Sequence, residues 1–250
     1  GASSFSIMIL TLSSAFLAAY FFGKLMNIPF NLKTLIGVGT AICGGSAIAA
    51  VSPIIEAEEM EIAYSVSTIF LFNVIAVLIF PPLGHLLGFS DKAFGLWAGT
   101  AINDTSSVVA AGYAFSNAAG AYATIVKLTR TTMIIPISLI FAFITAYKKK
   151  RDAIQDSTLN YSFKKIFPWF ILWFLFASLL NTLGFFSADI IRSINILGKF
   201  MIIVALSAIG LNSDFKKMLK TGIKPMLLGL IVWFVVAIVS ILVQYSTGQI

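Results

Sequence analysis

Residues 37–53 read Gly37-Val38-Gly39-Thr40-Ala41-Ile42-Cys43-Gly44-Gly45-Ser46-Ala47-Ile48-Ala49-Ala50-Val51-Ser52-Pro53. The stretch lies inside an apolar run, 35–55, long enough for a spanning helix, because a hydrocarbon core of ~30 Å takes ~20 residues at ~1.5 Å each. Four glycines nevertheless fall at positions 37, 39, 44 and 45. A spanning helix must satisfy its own backbone, and each glycine weakens it by about 1 kcal/mol relative to alanine. The pattern predicts an unwound or broken helix at Gly44-Gly45. Close packing of intact helices through small residues is the competing reading.

Outward from this segment, the chain is apolar almost throughout. Of 250 residues, 59% are hydrophobic and 11% charged, with mean hydropathy +0.97. A soluble domain is about a quarter charged, so a soluble enzyme and a nucleic-acid binder are excluded despite the net charge of +7. One cysteine (Cys43) and one histidine (His85) leave no material for a disulfide framework, a thiolate cluster or a multi-histidine site. Eight apolar runs stand out, roughly 3–22, 35–55, 62–84, 93–113, 121–146, 166–185, 195–211 and 225–246. The expectation is an all-α polytopic membrane protein, one transmembrane domain over 1–250 with about eight helices. It is no enzyme and carries no cofactor or resident metal.

If all eight runs cross, the connecting segments alternate sides. Lys24, Lys33, Lys92, Lys148, Lys149, Lys150, Arg151, Lys164, Lys165, Lys216, Lys217, Lys220 and Lys224 then share one side, against Arg192 with Glu56, Glu58, Glu59, Glu61 and Asp189 on the other. The positive-inside rule makes the first side cytoplasmic and places Gly1 outside. Because the chain opens with Gly1 and runs almost directly into an apolar helix, preceding residues are expected to be absent from it.

Two echoes of the glycine-rich segment follow. Gly99-Thr100-Ala101-Ile102 repeats Gly39-Thr40-Ala41-Ile42 at an offset of 60, with Ser106 and Ala110 matching Ser46 and Ala50. Ser207-Ala208-Ile209-Gly210 resembles Ser46-Ala47-Ile48-Ala49 five spans later. Five apart means opposite orientation, the mark of inverted repeats whose discontinuous helices meet at the midplane.

Ionisable residues inside the membrane face the bundle and mark pathways. Asp104 falls near the middle of 93–113, where Thr100, Asp104 and Ser107 share one helical face and Asn103 sits beside it. This stripe suits a Na⁺ site or a proton carrier; a permanent ion pair with a basic side chain is the alternative. Lys127 and Arg130, one turn apart in 121–146, could hold an anion by charge-assisted hydrogen bonds; otherwise they snorkel to the outer headgroups. Pro136 is expected to kink this helix. Lys199 is read as snorkelling, and His85 receives no role.

Gly39–Ala50 (GTAICGGSAIAA), Phe94–Ala111 (FGLWAGTAINDTSSVVAA) and Val126–Arg130 (VKLTR) resemble the signature blocks of the YeiH-like membrane proteins, a family labelled as sulfate exporters. The resemblance implies a bacterial or archaeal inner-membrane carrier of sulfate or organic sulfonates. It also implies further N-terminal helices and a ten-helix inverted-repeat fold like that of bile-acid symporters and sodium/proton antiporters.

Together these readings give an ion-coupled secondary transporter, an exporter of a small anion working by alternating access in the lipid bilayer, with a homo-oligomer allowed. Lys127, Arg130, Thr40, Gly44, Gly45, Ser46 and Ser207 are the expected substrate contacts. Asp104, Asn103, Thr100 and Ser107 are the expected H⁺ or Na⁺ contacts. A cation/proton antiporter with Asp104 as carrier is the alternative, and a channel or a non-transporting membrane protein stands beyond it.

Overall fold

A computed structural model describes residues 2–155, 170–204 except 188, 195, 199 and 202–203, and 222–250. Every element among these residues is helical: α1 (Ala2–Leu25), α2 (Phe30–Ala41), α3 (Gly45–Val51), α4 (Glu59–Leu86), α5 (Asp91–Ala101), α6 (Thr105–Phe115), α7 (Asn117–Thr131), α8 (Ile134–Gln155), α9 (Phe170–Thr182) and α10 (Lys224–Ser246). Four stretches are long and apolar enough to cross a membrane: Ser6–Leu25, Glu59–Leu86, Asn117–Lys148 and Lys224–Ser246. The third joins α7 and α8 through a tight turn at 132–133. The turn falls where Pro136 requires it, since a proline ring displaces the carbonyl four residues before it, here that of Thr132. The expected kink is present.

The glycine-rich segment is broken, as its composition predicts. α2 ends at Ala41 and α3 begins at Gly45, with Gly44 at φ 71° and ψ −128°, a conformation open to glycine and strained for other residues. The echo breaks at the same place: α5 ends at Ala101 and α6 begins at Thr105, again 60 residues later. A continuous helix through 93–113 is therefore corrected. Thr100 and Asp104 do not share a face, because α5 ends at Ala101 and the chain is extended at Ile102 and at Asp104 itself.

Neither broken segment crosses. In α5–α6 the two outer ends meet: Ser116 Oγ donates to Asp91 Oδ1 at 2.6 Å, and the rings of Phe94 and Phe115 stack 4.0 Å apart. Both arms lie on the same stretch of α7. A Cβ at Gly95 would sit 2.9 Å from Ala119 O, and one at Gly112 would sit 2.8 Å from Gly120 Cα. α5 thus runs up alongside α7 and α6 runs back down. In α2–α3 the outer ends Phe30 and Glu56 line one cavity with Lys148 at the far end of α8, and a Cβ at Gly39 would lie 3.0 Å from Ile48 Cδ1 on the returning arm. Each segment is a helical hairpin that enters and leaves at one end of the bundle, and the two enter from opposite ends.

This changes the charge partition. Lys24, Lys33, Lys148 and Lys224 lie at one end of the bundle together with Glu56, Glu58, Glu59 and Glu61, which eight crossings would have put opposite. Lys92 lies at the other end, beside the entrance of α5. The runs 166–185 and 195–211 are described only in part, so the expected spans there lie outside what can be compared.

The core joins these pieces. α10 packs on α4 and α5: Phe72 stacks on Trp233 at 5.6 Å, Trp97 Nε1 donates to Ala237 O at 3.1 Å, and Thr100 Oγ1 meets Ser240 Oγ at 2.7 Å. Residues from α1 to α6, α7 and α10 form one contiguous buried cluster, and the two hairpin tips lie inside it.

Candidate functional site

The tips, Ile42-Cys43-Gly44 and Ile102-Asn103-Asp104, abut: a Cβ on Gly44 would be 3.6 Å from Asp104 N and 3.7 Å from the Asn103 carbonyl carbon. Each tip exposes backbone that helices leave unpaired, the last carbonyls of the entering arm and the first N–H groups of the leaving arm. In an apolar bundle these groups need partners, and side chains from α7, α4 and the tip itself supply them.

Lys127 Nζ donates to Ile42 O at 2.8 Å and to Ile102 O at 2.9 Å, so one side chain ties the carbonyl ends of both hairpins. Arg130, one turn on, donates through Nε to Ala41 O at 2.5 Å and through Nη2 to Thr40 O at 3.1 Å. Both cations are fully buried, so neither snorkels to the headgroups. Placing positive charge at the C-terminal ends of α2 and α5 also complements the negative ends of their dipoles. Among the described residues neither makes an ion pair, and Arg130 Nη1 has no hydrogen-bond partner.

From α4, Asn73 Oδ1 accepts Asn103 N at 3.0 Å and Asp104 N at 3.2 Å, pairing the two tip amides. The Asp104 carboxylate then caps α6: its Oδ2 accepts Ser106 N at 2.9 Å, Ser107 N at 3.3 Å and the Ser106 hydroxyl. Asp104 Oδ1 takes no hydrogen bond among the described residues, and the side chain is half-buried. The start of α3 has no side-chain cap.

The residues expected to form the site are thus partly brought together. Lys127, Arg130, Gly44, Gly45, Asn103 and Asp104 converge on the tips. Thr40 contributes its carbonyl rather than its hydroxyl, which turns back to Ile36 O at 2.9 Å. Thr100 faces α10 through Ser240 and stands apart from Asp104. Ser107 is half-buried and meets Asp104 through its backbone N–H. Ser46 is exposed, and so is Ser106, its counterpart 60 residues on. Asn103 is 1% exposed, with neither amide atom partnered. Ser207 and Lys199 lie outside the described residues.

Two further side chains hold the tip beyond those expected from the sequence. Asn73 was legible as the one amide within the apolar run 62–84, a costly placement that marks a structural or functional need. Ser106 stands out in the sequence only as a repeat match, whereas its hydroxyl donates to Asp104 Oδ2.

Known proteins place the chain. A family described as Conserved hypothetical protein 698 matches residues 1–245. A UPF0324 membrane protein of Clostridium tetani is 46% identical over 258 residues, covering all of this chain and 75% of that protein. One from Fusobacterium nucleatum is 47% identical over 268 residues, covering 99% of this chain and 76% of the other. One from Streptococcus pyogenes serotype M6 is 47% identical over 256 residues, covering 99% and 74%. None of these three names states a substrate, and no solved structure matches the chain. With near-complete coverage at this identity, the chain belongs to the UPF0324 family of membrane proteins.

Proposed function

We propose that the protein is an ion-coupled secondary transporter of a small anion, with its binding site at the hairpin tips. One observation carries the reading: two copies of the same break meet tip to tip inside the bundle, beside two fully buried cations. Half-helix ends converging in this way supply backbone N–H groups to an anion without the chain having to unfold locally. A membrane interior tolerates such charge only when it is paired or used.

In this reading Lys127 and Arg130 act first on the protein itself. Their donors hold the carbonyl ends of α2 and α5, and their charge sets the sign of the site. The anion is held by Ser46, Ser106 and the N–H groups around Gly44-Gly45, with Arg130 Nη1 as the remaining guanidinium donor. Sulfate and alkyl sulfonates are the substrates to try first, on the resemblance of the three signature blocks. Asp104, through Oδ1, takes the coupling H⁺ or Na⁺, with Asn103 beside it. The protein is an inner-membrane protein in this reading. Among the described residues Lys24, Lys33, Lys148 and Lys224 make their end of the bundle cytoplasmic, which leaves the start of α1 outside.

The test is counterflow in proteoliposomes: labelled sulfate or methanesulfonate accumulating against an internal load of the same anion. Saturable accumulation supports a carrier, a channel gives none, and Na⁺ or H⁺ exchange without any anion supports the antiporter reading, which the open Asp104 Oδ1 favours. Asp104→Asn should keep sulfate counterflow and lose its response to an imposed ion gradient. An undiminished response would remove Asp104 from coupling.

A further inference from the structure

We propose that the charge of the tips fixes how many protons travel with the anion: a monovalent anion binds alone, and a divalent anion binds together with one proton carried by Asp104. The inference rests on the anion-carrier reading above.

The charged groups at the tips are few. α7 contributes Lys127 and Arg130, both fully buried, and the α5–α6 tip contributes Asp104. Among the described residues, the only other titratable side chain at the tips themselves is the Cys43 thiol, on the opposing tip; Asn73 of α4, Asn103, Ser106 and Ser107 are neutral, and the acidic and basic groups of α4 and α5 (Glu59, Glu61, His85, Asp91, Lys92) sit at the far ends of those helices. With Asp104 ionised and both Lys127 and Arg130 protonated, two positive charges face one negative charge, and among the described residues the empty tips carry one net positive charge. A monovalent anion makes the loaded site neutral. A dianion would leave it negative, and uncompensated charge in a low-dielectric interior is what such sites avoid. Protonating Asp104 restores neutrality with the dianion.

The geometry allows this proton. Asp104 caps α6 through Oδ2 alone, so a proton on Oδ1 leaves the cap in place. Proton binding and dianion binding at one site are then linked reciprocally.

The experiment measures half-saturation of counterflow against pH, for sulfate as the dianion and methanesulfonate as the monoanion, both of which keep their charge across the range. Where Asp104 is ionised in the empty site, sulfate affinity should fall about tenfold per pH unit, the slope of one linked proton. Methanesulfonate affinity should stay flat. Asp104→Asn keeps an N-cap residue and should abolish the sulfate slope. Equal slopes for the two anions, or a sulfate slope that survives in Asp104→Asn, would overturn the proposal. A surviving slope that disappears in Lys127→Arg would assign the proton to Lys127. No counterflow of any anion in the wild type would overturn the carrier reading and this inference with it; counterflow of both anions without a charge-dependent slope would overturn the inference alone.

Discussion

The two hairpin tips share a backbone plan and solve its chemistry differently. At the α2–α3 tip the turn is made by Gly44 at positive φ, and the leaving helix starts without a side-chain cap. At the α5–α6 tip Asp104 stands at the equivalent position in an extended conformation and caps the leaving helix with its carboxylate. Cys43 and Asn103 differ in the same way, a small soft side chain opposite an amide. The carbonyl ends, by contrast, share Lys127, with Arg130 adding its donors at the α2 end alone. The repeat therefore conserves a shape, while the ionisable group is confined to one copy. The proposed site uses both: two converging breaks that bring polar backbone together, and a single group whose charge can change.

The shared element should matter most. Lys127→Met keeps length and burial but strips a partner from Ile42 O and Ile102 O. Each buried carbonyl left unpaired costs about 1–3 kcal/mol, so a loss of about 3 kcal/mol is expected in thermal unfolding of the detergent-purified protein, together with loss of counterflow. A variant as stable as the wild type would show that the tips do not depend on the shared ammonium.

The backbone difference comes next. Gly44→Ala forces a side chain into a left-handed conformation with Ile69 Cγ2 only 3.3 Å from the new Cβ. Strain of this kind costs of order 1–3 kcal/mol, and about 2 kcal/mol is expected here. Asp104→Ala at the other tip removes an N-cap and should cost about 1 kcal/mol, while Asp104→Asn should cost less. A larger loss for Asp104→Ala than for Gly44→Ala would reverse the assignment of which tip is the more constrained. The exposed pair should matter least for folding. Ser46→Ala and Ser106→Ala should each leave stability within about 0.5 kcal/mol, and if each hydroxyl contributes a hydrogen bond of about 1 kcal/mol, half-saturation should rise about fivefold. Ser106→Ala should also weaken ion coupling, since its hydroxyl holds Asp104, whereas Ser46→Ala should not.

The breaks were legible in the sequence and the direction of the chain was not. Glycines at 37, 39, 44 and 45 mark the first break, and the offset of 60 points to Ile102–Asp104 as its counterpart, whereas hydropathy alone reads 93–113 as one continuous helix. Hydropathy is indifferent to direction: some twenty apolar residues fit equally a crossing or a hairpin of two arms. A helix of 11 or 12 residues such as α5 or α2 reaches only about 17 Å, half the core, but that length becomes readable only once the break is treated as a turn. The charge parity misled for the same reason, because it assumed that every apolar run crosses. At the site, the charged residues were found by the cost of burying them, which is visible in sequence. Their partners were not, because Lys127 and Arg130 bind backbone carbonyls, and no side-chain pattern encodes a carbonyl.

Side-specific cysteine labelling tests the hairpin architecture most directly. In a Cys43→Ala background, single cysteines replace Asn27 and Glu58, exposed positions flanking α2–α3, and Lys92, exposed at the entrance of α5. The hairpin account predicts that Asn27→Cys and Glu58→Cys react with a membrane-impermeant maleimide from the same side and Lys92→Cys from the other. Labelling of Asn27→Cys and Glu58→Cys from opposite sides would mean that the glycine-rich segment crosses the membrane, and the tip-to-tip site would fall with it.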